Sequence, residues 1–119
     1  MAYDTNNIFA KILRSEITCN KVYEDVVALA FHDIAPVAPV HIVVIPKGEY
    51  ESFDDFAAKA GAKNVGQFFE SVHHVVRQLG LSDFRIITNN GAIAGQSVFH
   101  FHVHILAGKP MGALLAEQL

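Results

Sequence analysis

His100-Phe101-His102-Val103-His104-Ile105-Leu106 sets three of the chain's seven histidines in strict alternation with apolar residues. In an extended strand successive side chains point to opposite faces, so the spacing predicts three imidazoles on one face. Phe101, Val103 and Ile105 then point the other way, into a core. Histidine is the side chain whose unperturbed pKa lies closest to neutrality, and it serves as nucleophile, acid, base or metal ligand. The strand therefore presents chemistry on a rigid element.

Working outward, Asn7 is placed to cap a short helix carrying Ile8, Phe9, Ile12 and Leu13 on one face. Lys21–Glu24 and residues 26–32 read as two strands of a hairpin that turns near Asp25. Asp33-Ile34-Ala35-Pro36-Val37-Ala38-Pro39 follows, and its two prolines make a stiff connection that cannot pair continuously in a sheet. Residues 40–45 form an apolar strand interrupted by His41, and Pro46-Lys47-Gly48 stops it. Residues 53–79 are predicted helical, because Val65, Phe68, Phe69, Val72, Val75, Val76 and Leu79 recur at intervals of three and four. Gly61 and Gly66 predict a break in its first half, and Gly80 closes it.

A strand over residues 84–88, a loop over 89–95, a long strand over 96–106 and a short tail over 108–119 complete the chain. The order α-β-β-β-α-β-β with short links favours an α+β fold, an antiparallel sheet with its helices gathered on one side. With no repeat, linker or low-complexity tract, residues 1–119 are expected to form one domain.

Composition narrows the function classes. The 119 residues are 51% hydrophobic, enough for an ordinary core. Net charge is −3 with no basic block, which disfavours nucleic acid polymers as partners but leaves a single bound nucleotide open. Cys19 is the one cysteine, so no intrachain disulfide exists, which fits a reducing compartment. Met1-Ala2-Tyr3-Asp4-Thr5-Asn6 lacks the basic-then-apolar pattern of a signal peptide. No apolar run approaches the roughly 20 residues that span a membrane. The expectation is a soluble cytoplasmic protein with no membrane partner.

Four readings compete for the histidines: a solvated polar face, a metal site, a nucleophile, or a non-catalytic interaction module. Alternate strand residues lie about 6–7 Å apart, so two imidazoles can converge on one ion. His100 and His104 are about 13 Å apart and cannot readily share it, so a third ligand has to come from elsewhere, His41 being one choice. A neutral imidazole can instead attack phosphorus and form a labile adduct that water resolves. Such a nucleophile needs its second ring nitrogen tied to a partner and donors around the phosphoryl oxygens. Gly95-Gln96-Ser97 supplies backbone N–H groups, a hydroxyl and a glycine that permits close approach of phosphate.

The run Gly95-Gln96-Ser97-Val98-Phe99-His100-Phe101-His102-Val103-His104-Ile105-Leu106 resembles the signature of the histidine-triad (HIT) superfamily, His-φ-His-φ-His-φ-φ with φ apolar. Three upstream segments resemble its nucleotide-binding Hint branch: Ile8-Phe9-Ala10-Lys11-Ile12, Phe31-His32-Asp33-Ile34-Ala35-Pro36 and Pro39-Val40-His41-Ile42-Val43-Val44-Ile45-Pro46-Lys47. The resemblance implies a HIT-like α+β domain with a five-stranded antiparallel sheet, helices packed on it, and a homodimer that extends the sheet. It implies hydrolysis of the P–N bond of purine nucleoside 5′-phosphoramidates, without cofactor or metal.

By position, the resemblance makes His102 the nucleophile and puts His104 at the α-phosphate and leaving group, with His100 and His41 holding the geometry. Ser97 would bond near the scissile bond, with Asn89, Gly95 and Gln96 around the phosphate. Asp33 would accept from the ribose, and Ile8, Phe9, Ile12, Phe31, His32 and Ile34 would wall the base. His73 and His74 match nothing in the signature and read as ordinary helix residues. Dinucleoside polyphosphate hydrolysis, as in the fragile-histidine-triad branch, and a nucleotide-binding scaffold with incidental turnover are the alternatives. Ala107 stands where the branch commonly has glycine, and the tail lacks tryptophan, so leaving-group preference does not carry over. A nucleophile that must be neutral predicts an acid limb in the rate near about pH 6–7.

Overall fold

The computed structural model describes residues 2–115, so the predicted tail is described as far as Leu115. Helix α1 (Ile8–Leu13) opens at Asn7, whose Oδ1 accepts the Ala10 N–H at 2.9 Å. Strands β1 (Lys21–Glu24) and β2 (Ala28–His32) pair antiparallel. Strand β2 starts at Ala28, later than the sequence pattern suggests. Asp25 Oδ1 takes the N–H groups of Val27 and Ala28 at 2.8 and 2.9 Å, which turns the chain there. Strand β3 (Val40–Pro46) runs one residue further than expected, with Pro46 opposite Ala28 at the strand end.

Helices α2 (Phe53–Lys59) and α3 (Ala62–Gln78) divide at Gly61, which takes φ +85°. Gly66 does not break α3. Its propensity cost of about 1 kcal/mol is outweighed by the buried stripe Phe68, Val72, Val75 and Val76. Strands β4 (Arg85–Ile87) and β5 (Val103–Ala107) complete a five-stranded sheet, ordered β1-β2-β3-β5-β4 and antiparallel throughout.

The long strand expected over 96–106 is regular only from Val103. Upstream, the backbone is used otherwise. Gln96 Oε1 accepts the Gly91 N–H, its Nε2 donates to the carbonyls of Glu51 and Val98, and the Phe101 N–H donates to the Tyr50 carbonyl. The helices also do not gather on one side. Ile42, Val44, Phe101, Val103 and Ile105 pack under α2 and α3, while Leu29, Phe31, Val43 and Ile45 pack under Phe9, Ile12 and Leu13 of α1. Because β3 is buried along nearly its whole length on both faces, each face requires cover. The site forms on the α1 face: His104 lies opposite Val43, and opposed residues share a face.

Candidate active site

Alternation holds through the irregular stretch, since Phe101, Val103 and Ile105 share one core cluster. The histidines turn away from it and are covered rather than solvated: His100 is fully buried, His102 is 7% exposed and His104 is half-buried. Phe9 packs its ring edge-on to His102 at 4.9 Å between centroids and to Phe31 at 5.5 Å.

Hydrogen bonding assigns each tautomer. His102 Nδ1 lies 2.7 Å from the His100 carbonyl oxygen, which only accepts, so Nδ1 carries the proton. In the neutral ring Nε2 is then a bare lone pair. His100 Nε2 donates to the Pro46 carbonyl at 2.8 Å, and its Nδ1 accepts from the Tyr3 hydroxyl. The Val37 N–H donates to His41 Nδ1 at 3.2 Å, so His41 carries its proton on Nε2 and donates to His104 Nδ1 at 2.9 Å. That leaves His104 presenting Nε2–H. Thr88 Oγ1 donates to the His102 carbonyl at 2.8 Å and steadies the backbone there.

All three rings of the triad favour the neutral form. Burial pushes His100 and His104 down to about 4, each helped by the neighbouring His102. Burial also lowers His102, opposed by its bond to the His100 carbonyl and by the Asp33 carboxylate. A neutral imidazole with one fixed N–H and one free lone pair is the state in which histidine attacks an electrophile.

Asp33, His41 and His104 offer ligand atoms within 4.8 Å of one another, the one such group among the described residues. Asp33 Oδ2 lies 3.4 Å from His41 Nε2. A cation there would have to take His41 Nε2, the nitrogen that carries the proton because Nδ1 accepts the Val37 N–H. Metal-bound histidines usually show the reverse, donating their second N–H to an acceptor. The donor set therefore fits a hydrogen-bonded relay better than a metal site.

The remaining expected residues divide. Asp33 Oδ1 accepts the Ala35 N–H at 2.8 Å, so the turn role is occupied and Oδ2 alone faces the histidines. Gly95 takes φ +104°, and a Cβ on it would sit 3.5 Å from Asn89 Nδ2, which brings Asn89 to the loop. The Gln96 side chain is buried and spent on the Gly91 N–H and the carbonyls of Glu51 and Val98. Its own N–H donates to the Gly91 carbonyl at 3.0 Å, so Gln96 has no free donor for the phosphate role expected of it. Ser97 is exposed, on the wall of a cavity of about 520 Å³ that it shares with Asp4, Asn7, Ile8 and Glu51. Ile12, on the inner face of α1, packs over Phe31, and Ile8 (41% exposed) stands on the wall of the cavity beside Ser97. His32 and Ile34 (96% exposed) stand open to solvent rather than enclosing a pocket. His74 stacks on Tyr23 at 4.4 Å, away from the site.

Residue spacing does not mark Tyr3, the Val37 N–H, the Pro46 carbonyl or Thr88 as partners of the histidines. Backbone partners leave no mark in residue identity, and Tyr3 acts 97 positions from its partner. A second cavity, of about 410 Å³, lies between α1 and β1 and is lined by no histidine. The two ammoniums on its wall, Lys21 and Lys47, are both held by Glu24, at 2.9 and 2.8 Å.

A doubly covered antiparallel sheet with three neutral histidines at a glycine-bearing loop defines a protein of the histidine-triad class. The HIT domain family matches residues 14–111, and the chain belongs to the HIT family. It is 48% identical over 117 residues to an uncharacterized HIT-like protein of Azospirillum brasilense, covering 97% of this chain and 96% of that one. It is 37% identical over 120 residues to the purine nucleoside phosphoramidase of Escherichia coli, covering 99% and 98%. Among solved structures it superimposes on a HIT family hydrolase from Clostridium thermocellum with a TM-score of 0.85 at 36% identity, covering 92% and 97%. The site is thus of the HIT hydrolase type. Among the described residues, no helix is long and apolar enough to cross a membrane.

Proposed function

We propose that this chain hydrolyses the P–N bond of purine nucleoside 5′-phosphoramidates through a nucleotidyl intermediate on His102. One observation carries the reading: the bond from His102 Nδ1–H to the His100 carbonyl leaves Nε2 unprotonated. In the proposed reaction Nε2 attacks the α-phosphorus, the P–N bond breaks, and the departing nitrogen takes a proton and leaves as the amine. Water then attacks phosphorus, the N–P bond to His102 breaks, and the nucleoside monophosphate departs.

His104 Nε2–H suits the phosphoryl oxygens or the leaving nitrogen, and Ser97 suits the phosphate, since the Gly95 and Gln96 N–H groups are held by the Ala92 and Gly91 carbonyls. Asp33 is proposed to accept from the ribose, and Phe9 and Phe31 to support the base. The cavity beside Ser97 offers room for the amine, and the similarity to a phosphoramidase at 37% identity points the same way. The expected homodimer is proposed to form through β4.

The test is an adenosine 5′-phosphoramidate carrying a fluorogenic amine, given to the wild type and to His102→Ala. The expected outcome is AMP release by the wild type and a loss of at least about a thousandfold in the variant. No turnover by the wild type would sink the reading. Preferential cleavage of a diadenosine polyphosphate would favour the alternative hydrolase, and loss of activity with a chelator would restore the metal reading.

A further inference from the structure

Tyr3 lies outside every motif that marks the site, yet its hydroxyl reaches His100 Nδ1 at 2.5 Å. We propose that Tyr3 is a positioning residue for the nucleophile: its O–H fixes the tautomer of His100, and the His100 carbonyl fixes the tautomer of His102. His100 is fully buried, so both its ring nitrogens need protein partners. The Pro46 carbonyl can only accept, which puts the proton on Nε2 and leaves Nδ1 as a lone pair facing the Tyr3 hydroxyl.

Without that donor, Nδ1 would be a buried acceptor with nothing to accept. The ring relieves this by turning over, by changing tautomer or by taking a proton, and the first two break the bond to Pro46. Any of these disturbs residue 100, whose carbonyl holds the His102 Nδ1–H. The two bonds are consecutive links of one chain that ends at the attacking nitrogen.

The hydroxyl is delivered by a braced segment. Asn7 Nδ2 donates to the Asp4 carbonyl at 2.8 Å, Asp4 Oδ1 accepts the Asn6 N–H at 2.9 Å, and Arg14 Nη1 donates to the Thr5 carbonyl at 2.8 Å. The Tyr3 ring meets His100 edge-on at 5.7 Å between centroids, while Phe9 meets His100 at 6.4 Å and His102 at 4.9 Å. Packing alone asks for an aromatic ring at position 3, and the hydrogen bond asks for tyrosine. Burial holds the phenol above its ordinary pKa, so it stays a donor.

Tyr3→Phe removes the donor and keeps the ring. In the wild type, ¹⁵N spectra of the imidazoles should show His100 protonated on Nε2 and His102 on Nδ1. In Tyr3→Phe, His100 should shift to a mixture of forms and His102 should lose its pure Nδ1–H signature. The kinetic arm rests on the phosphoramidase reading: kcat should fall about tenfold, the worth of one hydrogen bond, with KM within about twofold.

Unchanged nitrogen shifts at His100 and His102 would overturn the proposal, as would a raised KM at unchanged kcat. If the wild type cleaves no phosphoramidate, the spectra alone decide, so the two readings fail separately. Should Tyr3→Phe not fold by circular dichroism, 3-fluorotyrosine labelling of the wild type replaces it. That label strengthens the phenol as a donor and should move the His100 Nδ1 resonance opposite to a loss of the bond; no movement would overturn the proposal.

Discussion

At His102 the two ring nitrogens are unequal, and the inequality comes from the backbone: a carbonyl two residues upstream takes one N–H and leaves the other nitrogen bare. The same burial that dries the site keeps the ring neutral, moving its pKa below 6.5. The acid limb of kcat/KM is therefore expected below pH 6.5, lower than the pH 6–7 that an unperturbed histidine suggests. A pH–rate profile with an apparent pKa at or above 6.5 would contradict this. The shared face of His100, His102 and His104 was legible in their alternation with apolar residues. The tautomer of His102 was not, because a carbonyl oxygen is the same in every residue and only the path of the chain aims it.

Among the elements, the connection between β2 and β3 does two jobs that its two prolines make possible. It presents Asp33 to the histidines, and it aims the Val37 N–H at His41 Nδ1. Its far end rests on Gly108, which takes φ +98° just after β5 and where a Cβ would lie 2.8 Å from the Pro39 Cβ. Gly108→Ala is thus expected to combine backbone strain with a steric clash and cost about 2–3 kcal/mol, measured by urea denaturation. Because the clash displaces this connection, activity should fall by more than the unfolded fraction accounts for.

Element types were largely readable from spacing. Their ends were not: β2 begins late because Asp25 takes two N–H groups, and β5 begins late because the Gln96 loop and Tyr50 occupy the backbone before it. The helical break fell at Gly61, where φ is positive, and not at Gly66, which is helical.

For the molecule as a whole, burying the triad makes stability depend on pH. His100 and His104 bind protons near pH 4 when folded and near 6.5 when unfolded. Between those values the unfolded chain holds more protons, so stability is full above about pH 6.5 and falls as the pH drops toward 4. Thermal melts should show Tm declining across that window, and a flat Tm from pH 7 to 4.5 would contradict it.

The sheet has two edges of different character. Strand β1 carries Lys21 and Glu24, while the β4 edge exposes Phe84 and Ile86, 39% and 45% accessible, its one charge, Arg85, being turned to the Gly112 and Ala113 carbonyls. An apolar, unpaired edge invites pairing and charged residues resist it, which favours β4 for the proposed dimer. Ile86→Lys should convert dimer to monomer in light scattering, and wild-type protein that is already monomeric would dispose of the proposal.

By itself the sequence determined the side-chain inventory and its periodicity. Three histidines face one way because a strand alternates, and a five-stranded antiparallel sheet follows from short apolar runs with short links. Tertiary structure alone decided that α1 covers the second face, since only the assembled sheet shows β2 and β3 to be apolar on both sides. It also decided the protonation pattern, by setting Tyr3 and Pro46 against the ring nitrogens of His100, 97 and 54 positions away in sequence. Periodicity is local and survives in the order of residues. A proton's place on an imidazole depends on which donor or acceptor the folded chain brings within about 3 Å, and no local pattern records that.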